Sequence, residues 1–237
     1  MFTHYRTPGF ILKKTDKGES DRVFTIYTEE FGKLDLLAKA ERKITSKLRG
    51  GLEVFCLSEI EFIQGKKQKT LTDAVLLDNF KELKKDFRIL GVLFKIAEVS
   101  DSLIREAEAE EKIWQLFEEV FQKLKSHKPE LVYYYFFWNL VSFLGYQPEL
   151  HYCVSCKKKL SPEAIYFHPK ESSFICRACN SAKDLFSKIS PDAIKIIRLM
   201  LKKDWKTLKK LKLEKQELES MKEISELYFL ALLEHFK

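Results

Sequence analysis

Two Cys-x-x-Cys pairs, Cys153-Val-Ser-Cys156 and Cys176-Arg-Ala-Cys179, restrict this chain more than any other feature. Nineteen residues lie between the pairs, a spacing typical of a tetrahedral zinc site. Each pair places two thiolates on one side of a tight turn, and two such knuckles close a four-sulfur shell around one Zn²⁺. A closed shell has no open position for water or substrate, so the expected ion is structural. Between the pairs, residues 164–168 and 172–175 read as a hairpin around Pro169-Lys170-Glu171-Ser172, as in a zinc ribbon. Redox thiols and two unrelated turns are the competing readings. A thioredoxin-type site needs one Cys-x-x-Cys on a βαβ unit, and that pattern is missing from the sequence. His151 and His168 are left out of the ligand set, and Cys56, inside a strand pattern, reads as a buried apolar side chain.

The residues before the knuckles set the architecture. In the first eighty, apolar and β-branched runs at 9–14, 22–28, 33–40, 52–63 and 70–77 are separated by Asp16-Lys17-Gly18, Phe31-Gly32, Gly50-Gly51 and Gly65. Five short antiparallel strands suit a small closed barrel without exposed edges, with an OB-type barrel first and an SH3-like barrel second. From Asn79 the period becomes helical. Phe87, Leu90, Phe94 and Ala97 predict one buried face, and Ile113, Leu116, Phe117, Val120 and Leu124 a second. Ser190-Pro191-Asp192 reads as a helix start with Ser190 as N-cap, and Leu218, Met221, Ile224, Tyr228 and Leu232 mark a last helix. The expected fold class is α+β multidomain: an OB-fold β-barrel over 1–80, then an all-α domain over 81–237 into which a four-cysteine zinc finger, 151–180, is inserted. The stretch 131–146, interrupted by Asn139 and Ser142, is shorter than the roughly 20 residues a membrane span needs and reads as a core helix. The opening MFTHYRTPGF lacks a secretory pattern, so a cytoplasmic location is expected.

The formal net charge is +7, which favours polyanionic partners through release of condensed counterions. The positive residues cluster. Lys39, Arg42, Lys43, Lys47 and Arg49 are opposed only by Glu41 in the segment after the third strand. Lys66, Lys67 and Lys69 form a second group before the fifth strand. In OB barrels such loops flank the groove that takes single strands. These eight residues are candidate phosphate contacts, with Tyr27, Phe31 and Phe62 as rings that either stack bases or fill the core. Lys157–Lys159 and the lysines of 202–215 extend the positive surface. There is no GxxxxGK[ST] loop, HExxH helix, GxSxG elbow or GxGxxG after a strand, so no enzymatic activity and no small-molecule substrate are expected.

These residues also resemble a known family. Lys17-Gly18-Glu19-Ser20-Asp21-Arg22 and Tyr27-Thr28-Glu29-Glu30-Phe31-Gly32-Lys33 are similar to the opening of RecO proteins. So are Lys47-Leu48-Arg49-Gly50-Gly51-Leu52-Glu53, Leu71-Thr72-Asp73-Ala74, and Leu144-Gly145-Tyr146-Gln147-Pro148-Glu149-Leu150 leading into the first knuckle. The resemblance implies Cys153, Cys156, Cys176 and Cys179 as zinc ligands, and a bacterial, nucleoid-associated DNA-repair protein of the RecF pathway. It also places Arg22, with Lys39, Arg42, Lys43 and Arg49, in the family's basic barrel region, which makes nine candidate DNA contacts in all. It implies binding and annealing of single- and double-stranded DNA, partnership with RecR and with the SSB C-terminal tail, and help in loading RecA. An adaptor whose DNA is held mainly by its partners is the alternative.

Overall fold

Alternation of apolar and polar residues, punctuated by glycine turns, shapes the first part of the chain into β1 (His4–Lys17), β2 (Asp21–Thr28), β3 (Gly32–Ala38), β4 (Leu57–Gln64) and β5 (Lys69–Asp78). The structure, a computed structural model, describes residues 3–66, 68–161, 165–180, 187–211 and 213–235. The five strands form a closed barrel in the order β1-β2-β3-β5-β4. Neighbours run antiparallel except β3 and β5, which meet parallel with Leu37 opposite Thr70. This is the OB arrangement, the first of the two barrel expectations. Ile11, Phe24, Ile26, Leu34, Leu36, Ile60, Phe62 and Leu71 fill the interior.

One strand starts later than its sequence pattern predicts. Residues 47–51 form a 3-10 turn and Phe55 takes a left-handed φ of 62°, so the fourth strand begins only at Leu57. Phe55 N–H still donates to Ile11 O at 2.8 Å, and Ile11 N–H to Cys56 O at 3.0 Å. The alternation across 52–56 thus reflects pairing with β1 outside a regular ladder. Gly51 is required there: a Cβ would lie 2.2 Å from Ala74 O on β5.

Three helices complete the first compact unit, Met1–Lys125: α1 (Lys81–Lys84), α2 (Phe87–Leu103) and α3 (Glu111–Leu124). All five residues assigned to the inner face of α3 are buried, and Phe117 stacks on Phe10 and Tyr27 of the barrel at 5.5 and 5.1 Å. On α2 the buried face differs from the expected one. Phe87 and Phe94 are 87% and 58% exposed, whereas Val92, Leu93, Ile96, Ala97, Val99 and Leu103 are buried. Apolar residues occupy two stripes of this helix, and the one that is covered also accommodates Ser100, whose hydroxyl donates to Ile96 O at 2.7 Å.

The second unit, Ser126–Lys237, contains α4 (Pro129–Phe143), β6 (Ile165–His168), β7 (Ser173–Cys176), β8 (Lys188–Ile189), α5 (Pro191–Leu201), α6 (Trp205–Leu208) and α7 (Lys215–His235). α4 is buried along most of its length. Asn139 sits within that apolar helix because its amide donates to Tyr135 O at 2.8 Å and to Met200 O of α5 at 3.1 Å. Pro191 opens α5 as expected, but Ser190 makes no side-chain cap bond. On α7, Met221, Ile224, Tyr228 and Leu232 are buried, with Leu218 half-buried. The strands form a small sheet ordered β7-β6-β8. The expected hairpin is present as β6 and β7, although Ala164 lies outside the described residues. Among the described residues, no helix is long and apolar enough to cross a membrane.

Candidate metal centre and nucleic-acid interface

The first knuckle is a tight hairpin built by backbone hydrogen bonds. Cys153 N–H donates to Lys158 O at 2.8 Å, Lys157 N–H to Cys153 O at 2.9 Å, and Leu160 N–H to His151 O at 2.9 Å. Val154 N–H donates to Phe174 O at 3.0 Å, tying this hairpin to β7, which leads straight into the second knuckle. The four thiol sulfurs of Cys153, Cys156, Cys176 and Cys179 thereby lie within 4.8 Å of one another, with Cys156 and Cys176 at 3.7 Å. A tetrahedron with metal–sulfur arms of about 2.3 Å has edges of about 3.8 Å. The donor set fits a metal ion.

The electrostatics agree. Burial disfavours the Cys153 thiolate, but backbone N–H groups of Cys156, Cys176 and Ser155 outweigh it and bring the thiol down to about 6. The Cys176 N–H lies 3.4 Å from the Cys153 sulfur. Cys179 is driven up to about 12, chiefly by its hydrogen bond with Cys156. Four thiolates at this separation repel one another unless a cation sits among them. His151 is exposed, and His168 Nδ1 accepts the Glu171 N–H at 3.3 Å. Cys56 is buried beside the Lys84 ammonium at 3.3 Å, with burial pushing its thiol up.

The basic clusters meet at one end of the barrel, and the β1–β2 hairpin joins them. Lys17 at its tip donates to the Gln68 side chain at 3.1 Å, in the turn that carries Lys66 and Lys69. On the other side, Arg42 N–H donates to Ser20 O at 3.0 Å and its guanidinium to Gly18 O at 3.3 Å. The parallel contact of Leu37 with Thr70 brings the end of β3, next to Lys39, alongside Lys69. Lys39, Arg42, Lys43, Lys47, Arg49 and Lys66 are exposed. Lys67 lies outside the described residues.

Among the described residues, three of the nine are engaged with carboxylates, Arg42 through Asp16 at 3.5 Å. Arg22 reaches Asp16 at 2.7 Å and Glu41, whose side chain is only 3% exposed, at 3.0 Å. The Arg22 hydrogen bond holds the Asp16 carboxyl below its ordinary range. Lys69 pairs with Glu106 at 3.0 Å. Of the candidate stacking rings, Tyr27 and Phe62 are core residues, buried against Phe117 and Tyr5 respectively. Phe31 is half-buried beside Tyr5 and Phe62.

Sequence reasoning passes over two residues at this end of the barrel. Lys17 ends β1 at the hairpin, and its turn signal, Asp16-Lys17-Gly18, is the clue available in the sequence. Ile44, 92% exposed in the basic loop, has no such signal.

Comparison with known proteins decides the family. Residues 1–80 match the model for the recombination protein O N terminal, and residues 84–237 the model for the recombination protein O C terminal. The chain belongs to the RecO family. It is 30% identical over 218 residues to the DNA repair protein RecO of Dehalococcoides mccartyi strain 195, covering 92% of this chain and 86% of that one. The RecO of Alkaliphilus metalliredigens is 26% identical over 231 residues, covering 97% and 94%. That of Halalkalibacterium halodurans is 25% identical over 229 residues, covering 95% and 88%. The two RecO family segments meet near residue 80, whereas compactness groups α1 to α3 with the barrel.

Proposed function

We propose that this protein is a non-enzymatic recombination mediator in bacterial DNA repair, whose barrel holds nucleic-acid strands by their phosphates. One observation carries the reading. Clusters far apart in sequence, at 39–49 and 66–69, are drawn to the same end of an OB barrel through the β1–β2 hairpin. Those hairpin and β4–β5 loops are where OB barrels receive oligonucleotides. Neutralising phosphates releases counterions and lowers repulsion between two strands, so base pairing itself drives annealing. The relatives' name as DNA repair proteins supports the cellular setting. Within it we assign single- and double-stranded DNA as ligands, RecR and the SSB tail as partners, and RecA loading as the outcome. The location is the cytoplasm, at the nucleoid. The ion of the cysteine shell is Zn²⁺, which thiolate ligands favour, and its role is to hold the knuckles closed.

Two measurements test this. Arg42→Glu, Lys43→Glu and Arg49→Glu together should weaken oligonucleotide binding by at least tenfold at low salt, in a gel shift with the protein alone, with only a small drop in its unfolding midpoint. A metal-edge absorption spectrum should show zinc with four sulfurs. An adaptor role is the second reading, favoured by a cleft of about 570 Å³ beside β1 and α2, lined by Leu12, Val54, Phe94 and Ala97. Failure of the purified protein to shift any oligonucleotide at low salt would select it.

A further inference from the structure

The metal ribbon carries a surface that a purely bracing role does not use. Residues 151–180 hold five lysines or arginines against two glutamates. Lys157, Lys158 and Lys159 follow one another in the first knuckle, and all three are exposed. Among the described residues, none of them is ion-paired to a carboxylate, unlike Lys69 or Lys84 in the first unit. Arg177, also exposed, lies beside Cys176, whose sulfur is 3.7 Å from that of Cys156, so it flanks the same sulfur cluster.

Next to these cations stands an aromatic ring left in water. Tyr152 is 51% exposed. Its backbone is fixed: the N–H groups of His151 and Tyr152 both donate to Glu149 Oε1, at 2.6 and 3.2 Å. Tyr152 pairs with Lys159 in an isolated antiparallel bridge. Directly opposed residues of an antiparallel pair send their side chains to the same face. A ring that can take a base and an ammonium that can take a phosphate therefore share one face of the knuckle. This combination of positive groove and aromatic platform is how proteins hold single strands without sequence preference.

We propose that the face shared by Tyr152 and Lys159, with the adjoining Lys157 and Lys158, makes the cysteine ribbon a second single-strand-binding surface, distinct from the basic end of the barrel. The tyrosine stacks one base and the lysines contact the phosphates on either side. Each compact unit then has its own strand site, which is what bringing two complementary strands together requires. The inference rests on the reading that this protein handles nucleic-acid strands, but its residues lie wholly in the other unit.

The test uses the metal-loaded full chain and a labelled oligothymidine, followed by anisotropy across a salt series. Tyr152→Ala should lower affinity about fivefold or more, the loss of one base stack. Reversal of Lys157, Lys158 and Lys159 to Glu should flatten the log–log salt slope by about 2, from roughly 0.7 per single-strand phosphate. An oligonucleotide bearing 5-iodouracil should photo-cross-link to the peptide containing Tyr152. Unchanged affinity and slope in both variants, with metal retained, would overturn the proposal. So would a shift in metal affinity alone, since the lysines would then merely offset the negative sulfur shell. If the charge reversal loses metal, Tyr152→Ala and the cross-link decide. The barrel reading fails separately, through an unaffected Arg42, Lys43 and Arg49 reversal while Tyr152→Ala still loses binding.

Discussion

Arg22 has the position of a nucleic-acid contact and the surroundings of a structural residue. Its guanidinium is shared by exposed Asp16 and buried Glu41, so removing it leaves a carboxylate in the interior without its cation. Breaking such a pair costs about 3 kcal/mol, and Arg22→Met should lower the stability measured in urea by about that amount. A variant as stable as the parent would show that the pair contributes nothing. The Asp16 carboxyl is held below its ordinary value by the same hydrogen bond. Its stabilising share is therefore complete above the ordinary carboxylate range and is lost as the pH falls through the lowered value. Arg22→Met should remove that acid-side loss. None of this is legible in the sequence, because Arg22 and Glu41 are nineteen residues apart and meet only through the turn after β3. Asn139 is similar: within the sequence it reads as a break in an apolar run, yet it ties α4 to α5 through Met200 O.

Elements are more legible where the signal is local. The cysteine shell follows from spacing, since two knuckles separated by a short hairpin have few other ways to pack their sulfurs. The strands follow from alternation and turn glycines. What the sequence leaves ambiguous is which stripe of a helix is covered: α2 carries apolar residues on two sides, and only the docked barrel chooses between them, leaving Phe87 and Phe94 in water. The rings Tyr27 and Phe62 pose the same problem, since a strand pattern does not reveal that α3 will cover the first and the barrel interior enclose the second. At this scale the metal carries a clear prediction. The small sheet β7-β6-β8 is too short to stand alone, and ligand binding to a folded shell is folding free energy. Chelation, or Cys176→Ser, should lower the melting temperature of the full chain and abolish amide protection in 151–180, while protection in the barrel strands persists. Equal loss in both units would contradict this.

Across the whole molecule, positive charge is clustered rather than evenly spread. The net +7 is concentrated in the barrel's basic end, the first knuckle and the lysines of 202–215, while buried surfaces rely on aromatic packing. If six exposed cations at the barrel each engage one phosphate, log affinity should fall with log salt at a slope near −4, from about 0.7 per single-strand phosphate. A slope near zero in a salt titration would mean that strands are held by something other than these side chains.

The barrel is sealed between β3 and β5 by a parallel contact with a single register pair among the described residues, Leu37 opposite Thr70. Lys39 follows the strand on one margin of that join, and Lys69 opens the strand on the other. A sugar-phosphate chain laid across both would act as a strap over the least securely fastened part of the cylinder. Bound cargo should accordingly stiffen its own cradle: at a hundredfold excess over the dissociation constant the gain is about 2.7 kcal/mol. In hydrogen exchange, the slowing should be greatest at Leu37 and Thr70.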